Sequence, residues 1–564
     1  MKKNDKRRAK MKKSKVLTSL FVCGFLLSAC SGGNSGSGGN ATETSKQTEE
    51  GVALGTVGEF PIVEEKLSMT MMGPGVGMAE WIDMPVFKTM AEKSNIDFTF
   101  TTPPMADFAT KLNLAFASGD LPDVLFGTDA NSLTPAMEMD YGGQGILVPI
   151  EELIEENMPN FSKIIKEDPN IAKSITTPDG HIYSLPMVSR GSTAIWPRGP
   201  LWYNGDWLEE LNVSELPKTT DELFDLLVRF RDEDPNGNGK ADEIPLTDLK
   251  MESLRPWLMP AFGLTDRTIE EIDGTVVYAP VTDNYKEFVI YMKKLYGEKL
   301  LDQEVYSQAN EQKKAKGQND QLGLFPAWYS FFVTGKEEKD AVVDPMYYPV
   351  TSSIQKERMA PGSPRMSRAT FAITSQNPSP AATLRWVDYF YSPEGSDFLS
   401  KGPEGALWEY ETNDKGEQVR VYTDGVDLGN TEEFRATVTP NYGITVPTMD
   451  YPELVDQYPL ILEEANTEKD TSFEDFIAKE TEEKVTQFAK VTFPLLYLTK
   501  EESDAVRNIE TDMQTYVDQM EAKFITGVEP IENWDKYIKT IEGMGVEEYV
   551  SIYQNAYDRW ASIK

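Results

Sequence analysis

Along the chain, short apolar runs alternate with stretches of helical period. Residues 67–72 form such a run and predict a strand that enters the turn Gly73-Pro74-Gly75-Val76-Gly77. A helix with Trp81, Val86, Phe87 and Met90 follows, then a strand over 97–101. A second helix around 108–116 stops at Ser118-Gly119-Asp120, and Val124-Leu125-Phe126 makes the next strand. Strands linked by helical crossovers predict a parallel sheet, with ligand loops at the carboxyl ends of its strands. Asp129 lies just past the third of them and is a candidate cleft residue. Further on, 182–186 and 195–204 read as extended. Residues 284–296 and 381–390 read as helices, 323–329 as a strand ending in an exposed-aromatic loop, and 369–374 as a strand. From 446 onward helices dominate, and Tyr549, Ile552, Tyr553, Ala556, Tyr557 and Trp560 keep one apolar face. A chain of 564 residues is too long for one core, so two lobes are expected.

The stretch 201–243 combines three features. Aromatics cluster at Trp202, Tyr203 and Trp207. Thr219 with Glu222 three residues on announces a helix whose apolar face is Leu223, Phe224, Leu227, Val228 and Phe230. The helix runs into Asp234-Pro-Asn236-Gly-Asn238-Gly-Lys240-Ala-Asp242-Glu243, with oxygen-bearing side chains at alternate positions. A hard cation such as calcium takes six to eight oxygens, supplied by an EF-hand loop at positions 1, 3, 5, 7 and 9. Asp234, Asn236, Asn238, the Lys240 carbonyl and Asp242 match those positions. Pro245 stands where the last ligand belongs, so Glu243 or water must replace it. The alternative is that Asn-Gly and Asp-Pro simply make turns.

The same stretch resembles the family 1 extracellular solute-binding proteins of Gram-positive ABC importers. It is particularly similar to the large lipoproteins whose alginate-oligosaccharide-binding relatives hold a structural calcium in such a loop. ASGDLPDVLF at 117–126, DGHIYSLP at 179–186, FPLLYLTKEE at 493–502 and KFITGVEPIENWDKYIKTIEGMG at 523–545 extend the resemblance over nearly the whole mature chain. It implies a periplasmic-binding-protein-like α/β fold of the class II type. Two lobes, joined by crossing strands, would close on a ligand between them, with a helical C-terminal region. The expected partition is 61–190 plus about 369–405 for the first lobe. The second takes about 191–368 plus about 406–564, with 402–408 as the third crossing. The implied partners are a carbohydrate and the permease subunits of an ABC transporter, the protein being a monomer and the calcium structural.

The first thirty residues address location. Nine Lys and Arg residues precede an apolar run over 16–27 and then Leu27-Ser28-Ala29-Cys30, in the order of a secretory signal peptide. The run is too short to span a bilayer. Leu-Ser-Ala-Cys resembles the bacterial lipobox, which makes 1–29 a leader, Cys30 the acylated first residue, and 30–60 a flexible tether. The membrane would then be reached through the lipid alone. Cys23 leaves with the leader, so the fold is expected to stand without disulfides. Loss of 1–29 removes nine basic residues and one acid, leaving 46 against 91 and a net charge of −45. Such acidity argues against nucleic acid as a partner.

A single histidine, His181, leaves no room for zinc sites built on several His and Cys, and no GxSxG context accompanies it. A carboxylate-pair glycosidase survives by counting but no two acids are nominated. A peptide-binding lipoprotein is the weightier alternative to a sugar binder. Sugar sites place aromatic rings against pyranose faces, and ten tryptophans supply candidates. Trp386 and Trp560 lie on helical apolar faces and belong to the core. Trp81, Trp196, Trp202, Trp257, Trp328, Tyr329 and Trp408 lie in or beside loops and are the ligand-binding candidates, half of them expected in the cleft.

Overall fold

The structure is a computed structural model that describes residues 51–190, 195–413, 415–426, 431–451, 460–461 and 472–563. The leader, Cys30 and the start of the tether lie outside the described residues. Among the described residues no helix is long and apolar enough to cross a membrane.

The predicted βαβαβ start becomes one side of a six-stranded sheet. Its order is Met449–Asp450, Ser184–Ser189, Met366–Ile373, Val124–Phe126, Leu67–Met72, Ile96–Thr101. Leu67–Met72 pairs in parallel with both neighbours, while Met366–Ile373 runs antiparallel to both of its own. Val124, Leu125 and Phe126 are wholly buried because helices cover both faces, which is why that strand reads as continuous apolar sequence. One face packs on helices Pro85–Ser94, Glu151–Asn157 and Pro380–Asp388 through Val86, Phe87, Ile154, Trp386 and Val387. The other packs on helix Met105–Ser118 through Phe108, Leu112 and Phe116.

The second core is built on a three-stranded sheet, Leu201–Tyr203, Leu322–Pro326, Ile244–Leu246. Helices Thr220–Asp232, Asp283–Gly297, Lys500–Ile525, Trp534–Gly543 and Val546–Ser562 surround it. Thr219 caps its helix by accepting from the Glu222 N–H at 3.2 Å. The Glu222 carboxylate reaches past Thr219 to the Lys218 N–H at 2.7 Å, a shifted version of the expected reciprocal cap.

Two stretches pass between the cores, one through 189–190 and 195–200 and one through 361–366; a third, 489–497, runs alongside them but joins elements of the second core, which the chain has entered by Ile477 and Val485. They lie side by side: Ser189 N–H donates to Arg365 O at 2.8 Å, and Ile195 N–H to Pro361 O at 3.3 Å. Ala360 and Pro361 pair in parallel with Ala489 and Lys490. Residues 402–408, expected as the third crossing, are not one. Gly402, in a left-handed-φ conformation (75°), ends helix Pro393–Lys401. Leu407 and Trp408 then fold into a small separate core with Val438. Ile444, Val446, Met449 and Tyr451, from a stretch assigned to the second lobe by its position, pack into the first core. The chain therefore stays with the first core until after residue 451.

Candidate functional site

Leu322–Pro326 runs parallel to Ile244–Leu246 and antiparallel to Leu201–Tyr203. The residues after Pro326, those after Leu246 and those before Leu201 therefore share one edge of the second sheet, the carboxyl edge where open α/β sheets receive ligands. Trp328 stands there with its side chain more than half exposed (55%) and Phe332 nearly so (48%). Tyr329 lies between them, meeting Trp196 edge-on at 6.5 Å and stacking with Phe331 at 5.6 Å. Phe473 backs the group at 5.5 Å from Tyr329. Phe331, Phe332 and Phe473 were not anticipated. The doublet 331–332, directly behind a Pro-terminated strand, was the available signal.

On the same edge of the second sheet as this aromatic wall lies a polar cavity of about 520 Å³. Gly199 joins the two. Its φ is +86°, and a Cβ there would sit 2.4 Å from Ala327 O and 2.7 Å from Trp328 N, so only glycine lets the strands approach. The cavity is lined by Arg198, Lys250, Glu252, Arg255, Arg267 and Tyr306 among others. Arg198 (φ 56°), Lys250 (φ 53°) and Met251 (φ 63°) all hold left-handed backbone, a conformation that costs a non-glycine residue energy and tends to gather at binding sites. Lys250 N–H is held by Val305 O at 2.7 Å, and Met251 is fully buried. Arg198 meets Glu252 at 2.8 Å, and Arg255 meets the buried Glu521 at 2.7 Å. Burial alone would raise the Glu521 carboxyl, but the charges of Arg255 and Arg267 outweigh it and hold the group below the usual carboxylate range.

Four of the six candidate indoles take no part. Trp81 is 1% exposed and stacked on Phe87 beneath Gly73, where any Cβ would strike its ring. Trp202 is fully buried, its Nε1 donating to Ala327 O at 2.9 Å. Trp257 is buried with Nε1 donating to Gly199 O at 3.0 Å, so it braces the glycine contact from behind. Trp408 is buried under the Arg420 guanidinium, 3.8 Å from the ring centre. The ring faces are spent on packing, which is the usual fate of an indole whose N–H finds a carbonyl. Asp129 does lie past its strand, but its Oδ1 accepts from Ser132 Oγ at 2.7 Å and Ser132 N–H at 2.8 Å. It organises the turn. Trp386 is core, as expected, whereas Trp560 is only part-buried, donating to Ser174 Oγ at 3.2 Å. His181 pairs with Glu151 at 2.6 Å.

The oxygen-rich loop folds on itself. Asp234 (φ 48°) accepts the Gly239 N–H on Oδ2 at 3.0 Å, and Asn236 and Asn238 accept from the N–H two residues on. Asp242 accepts from Asn238 at 3.0 Å and from Gln321 at 3.1 Å. Burial, followed by the nearby Asp234 and Asp242 charges, pushes the Glu243 carboxyl up, and its Oε1 is buried without a hydrogen-bond partner. Glu243 thus feels two neighbouring carboxylates and keeps one unsatisfied oxygen, and a set of oxygen donors of these types suits a hard cation. Among the described residues no group of three or more His, Cys, Asp or Glu is close enough to hold a metal, so the set depends on the two Asn amides and the Lys240 carbonyl. Asn236 Nδ2 donates to Asp320 O at 3.0 Å, placing the loop at the entry of strand Leu322–Pro326. Five residues of strand, about 17 Å, separate it from Trp328 at the other end.

Two α/β cores bridged by side-by-side strands, with a ligand-sized cavity at a carboxyl edge, define a periplasmic-binding-protein-like fold. The family model described as "Bacterial extracellular solute-binding protein" matches residues 76–397, and the chain belongs to that family. It is 29% identical over 524 residues (90% of this chain, 92% of the relative) to the fructooligosaccharide ABC transporter substrate-binding protein FusA of Streptococcus pneumoniae. It is 28% identical over 222 residues, 37% of this chain and 39% of the relative, to the polygalacturonan/rhamnogalacturonan-binding protein YtcQ of Bacillus subtilis. Among solved structures, FusA in complex with kestose superposes with a TM-score of 0.61 at 27% identity, covering 88% of this chain and 100% of that one. An EF-hand mutant of FusA with fructo-nystose gives the same TM-score at 26% identity and the same coverage.

Proposed function

We propose that this protein is the substrate-binding component of an ABC importer, capturing an oligosaccharide and delivering it unaltered to a membrane permease. The observation that carries the reading is that the exposed Trp328 and a cavity rich in charged hydrogen-bonding groups share one edge of the second sheet, linked by the close backbone approach of Gly199 to Ala327 and Trp328. A flat apolar face beside planar donors and acceptors suits a pyranose or furanose ring, which has apolar C–H faces and a polar rim. Family membership and the FusA relative support it. Cys30 anchors the mature chain to the outer face of the membrane through a tether shorter than the expected 30–60, because Leu54 already bridges Val63 and Gly55 O accepts from Arg385 of the first core at 2.7 Å. Calcium bound by Asp234, Asn236, Asn238, Lys240 O, Asp242 and Glu243 supplies neutralising charge at the entry of strand Leu322–Pro326 and so steadies the sheet that presents Trp328.

The test is titration of intrinsic fluorescence and calorimetry against panels of oligosaccharides and of short peptides, with chromatography of the sugar afterwards. Saturable binding of a glycan recovered intact supports the reading. Binding of peptides alone, or release of reducing ends at catalytic rates, replaces it.

A further inference from the structure

The charges around the cavity are balanced. Four cations line it: Arg198, Lys250, Arg255 and Arg267. Glu252, Asp266 and Asp518 line it too, and Glu521 lies directly behind Arg255. Arg198 is engaged by Glu252 at 2.8 Å, Arg255 by Glu521 at 2.7 Å, and Arg267 by Asp518. Asp266 is occupied by the Thr268 N–H at 2.6 Å and hydroxyl at 2.5 Å. Four positive and four negative groups sum to zero. A guanidinium already bonded to a carboxylate keeps further N–H groups, and the carboxylate keeps further lone pairs. Such a pair can meet two neighbouring hydroxyls, one as acceptor and one as donor. Thr265 and Thr268 add hydroxyls to the same wall.

A carboxylate on the ligand faces a different situation. To reach Arg198 or Arg267 it must displace Glu252 or Asp518, and otherwise it lies beside them as a like charge, which costs affinity. The chain around it carries a net charge of −37 and adds to the repulsion. Lys250 has no ion-pair partner among the described residues, and it is one charge against that field. Resting on the oligosaccharide reading above, we propose that this cavity selects an uncharged, hydroxyl-rich glycan and rejects glycans bearing carboxylates, with Glu252 and Asp518 as the residues that impose the rejection.

The experiment is calorimetric titration of the protein with neutral trisaccharides (kestose, maltotriose, xylotriose) and with trigalacturonate, repeated with Glu252→Gln and Asp518→Asn. Both side chains are about half exposed, so melting temperature serves as the check that each variant is folded. At least one neutral sugar is expected to bind tenfold or more tightly than trigalacturonate. Each variant is expected to narrow that ratio threefold or more, and raising the salt from 20 to 500 mM narrows it in the wild type through screening. Trigalacturonate binding as tightly as every neutral sugar, or variants that leave the ratio unmoved, overturns the proposal while leaving oligosaccharide capture standing. If no glycan binds and peptides do, the oligosaccharide reading falls and this proposal with it.

Discussion

Arg255 and Glu521 meet as a fork, with Nε 2.9 Å and Nη2 2.7 Å from Oε1 and Nε also 3.1 Å from Oε2. Tyr285 Oη donates to the same carboxylate. Glu521 belongs to helix Lys500–Ile525 and Arg255 to the segment after Ile244–Leu246, so this buried pair fixes the cavity floor to the longest helix of the second core. Glu521→Ala leaves a buried guanidinium unpaired and is expected to cost about 3–5 kcal/mol in urea unfolding. A double change to apolar residues, Arg255→Met with Glu521→Leu, should recover most of it. Because the folded carboxyl titrates below the unfolded one, the pair's contribution is complete above the ordinary glutamate range and is lost as the pH falls through the folded value.

Glu138 behaves in the opposite sense. It is fully buried, accepts from Ser184 Oγ at 2.6 Å and Tyr497 Oη at 3.1 Å, and burial pushes it up to about 7. Between the ordinary value of 4.5 and about 7 the folded state holds a proton that the unfolded state has released. Its contribution is therefore full below that window and declines as pH rises through it, by about 3 kcal/mol in all. Glu138→Gln should flatten this segment of the pH–stability curve, measured as urea midpoints at pH 5 and pH 8, and make the variant the more stable of the two at pH 8.

Trp328 and Trp202 should separate binding from folding. Trp328→Ala is expected to weaken sugar binding about thirtyfold, near 2 kcal/mol, with little change in melting temperature. Trp202→Ala removes a fully buried indole and its bond to Ala327 O, and should cost about 3–5 kcal/mol of stability. Equal melting temperatures for the two variants would contradict the assignment.

Calcium should act on stability. At a hundred times its Kd it adds about 2.7 kcal/mol to the folded state, read as a rise in melting temperature over chelated protein. Asp234→Ala should abolish the rise without altering the melting temperature of chelated protein in the same degree. Identical melting with and without calcium would mean that the loop is only a turn.

Cys30→Ala should move the protein from the membrane fraction to the medium or the soluble fraction, and should remove labelling by a palmitate analogue. Retention of the variant in the membrane fraction would show another anchor.

Two kinds of feature were legible in residue order. The Thr219 cap and the turns within 234–243 rest on neighbours a few residues away, while the strand Val124–Phe126, whose partners Met71 and Phe371 are distant in the chain, was marked by the unbroken apolar run that burial on both faces demands. Which indoles face a ligand was decided elsewhere. Trp202 is turned inward by a carbonyl 125 positions away and Trp257 by one 58 positions away. The chain does not cross at 402–408 because Gly402 closes a helix locally and 444–451 returns to the first core; it has joined the second core by Ile477 and Val485. The cavity gathers Arg198, Lys250, Arg267 and Asp518, which are dispersed over more than half of the chain. Residue order by itself determined the class of fold, the oxygen-rich loop and the aromatic end of strand Leu322–Pro326. Only the tertiary structure decided which rings stay exposed and which charges neutralise one another, because burial and ion pairing depend on contacts between segments that no local pattern records.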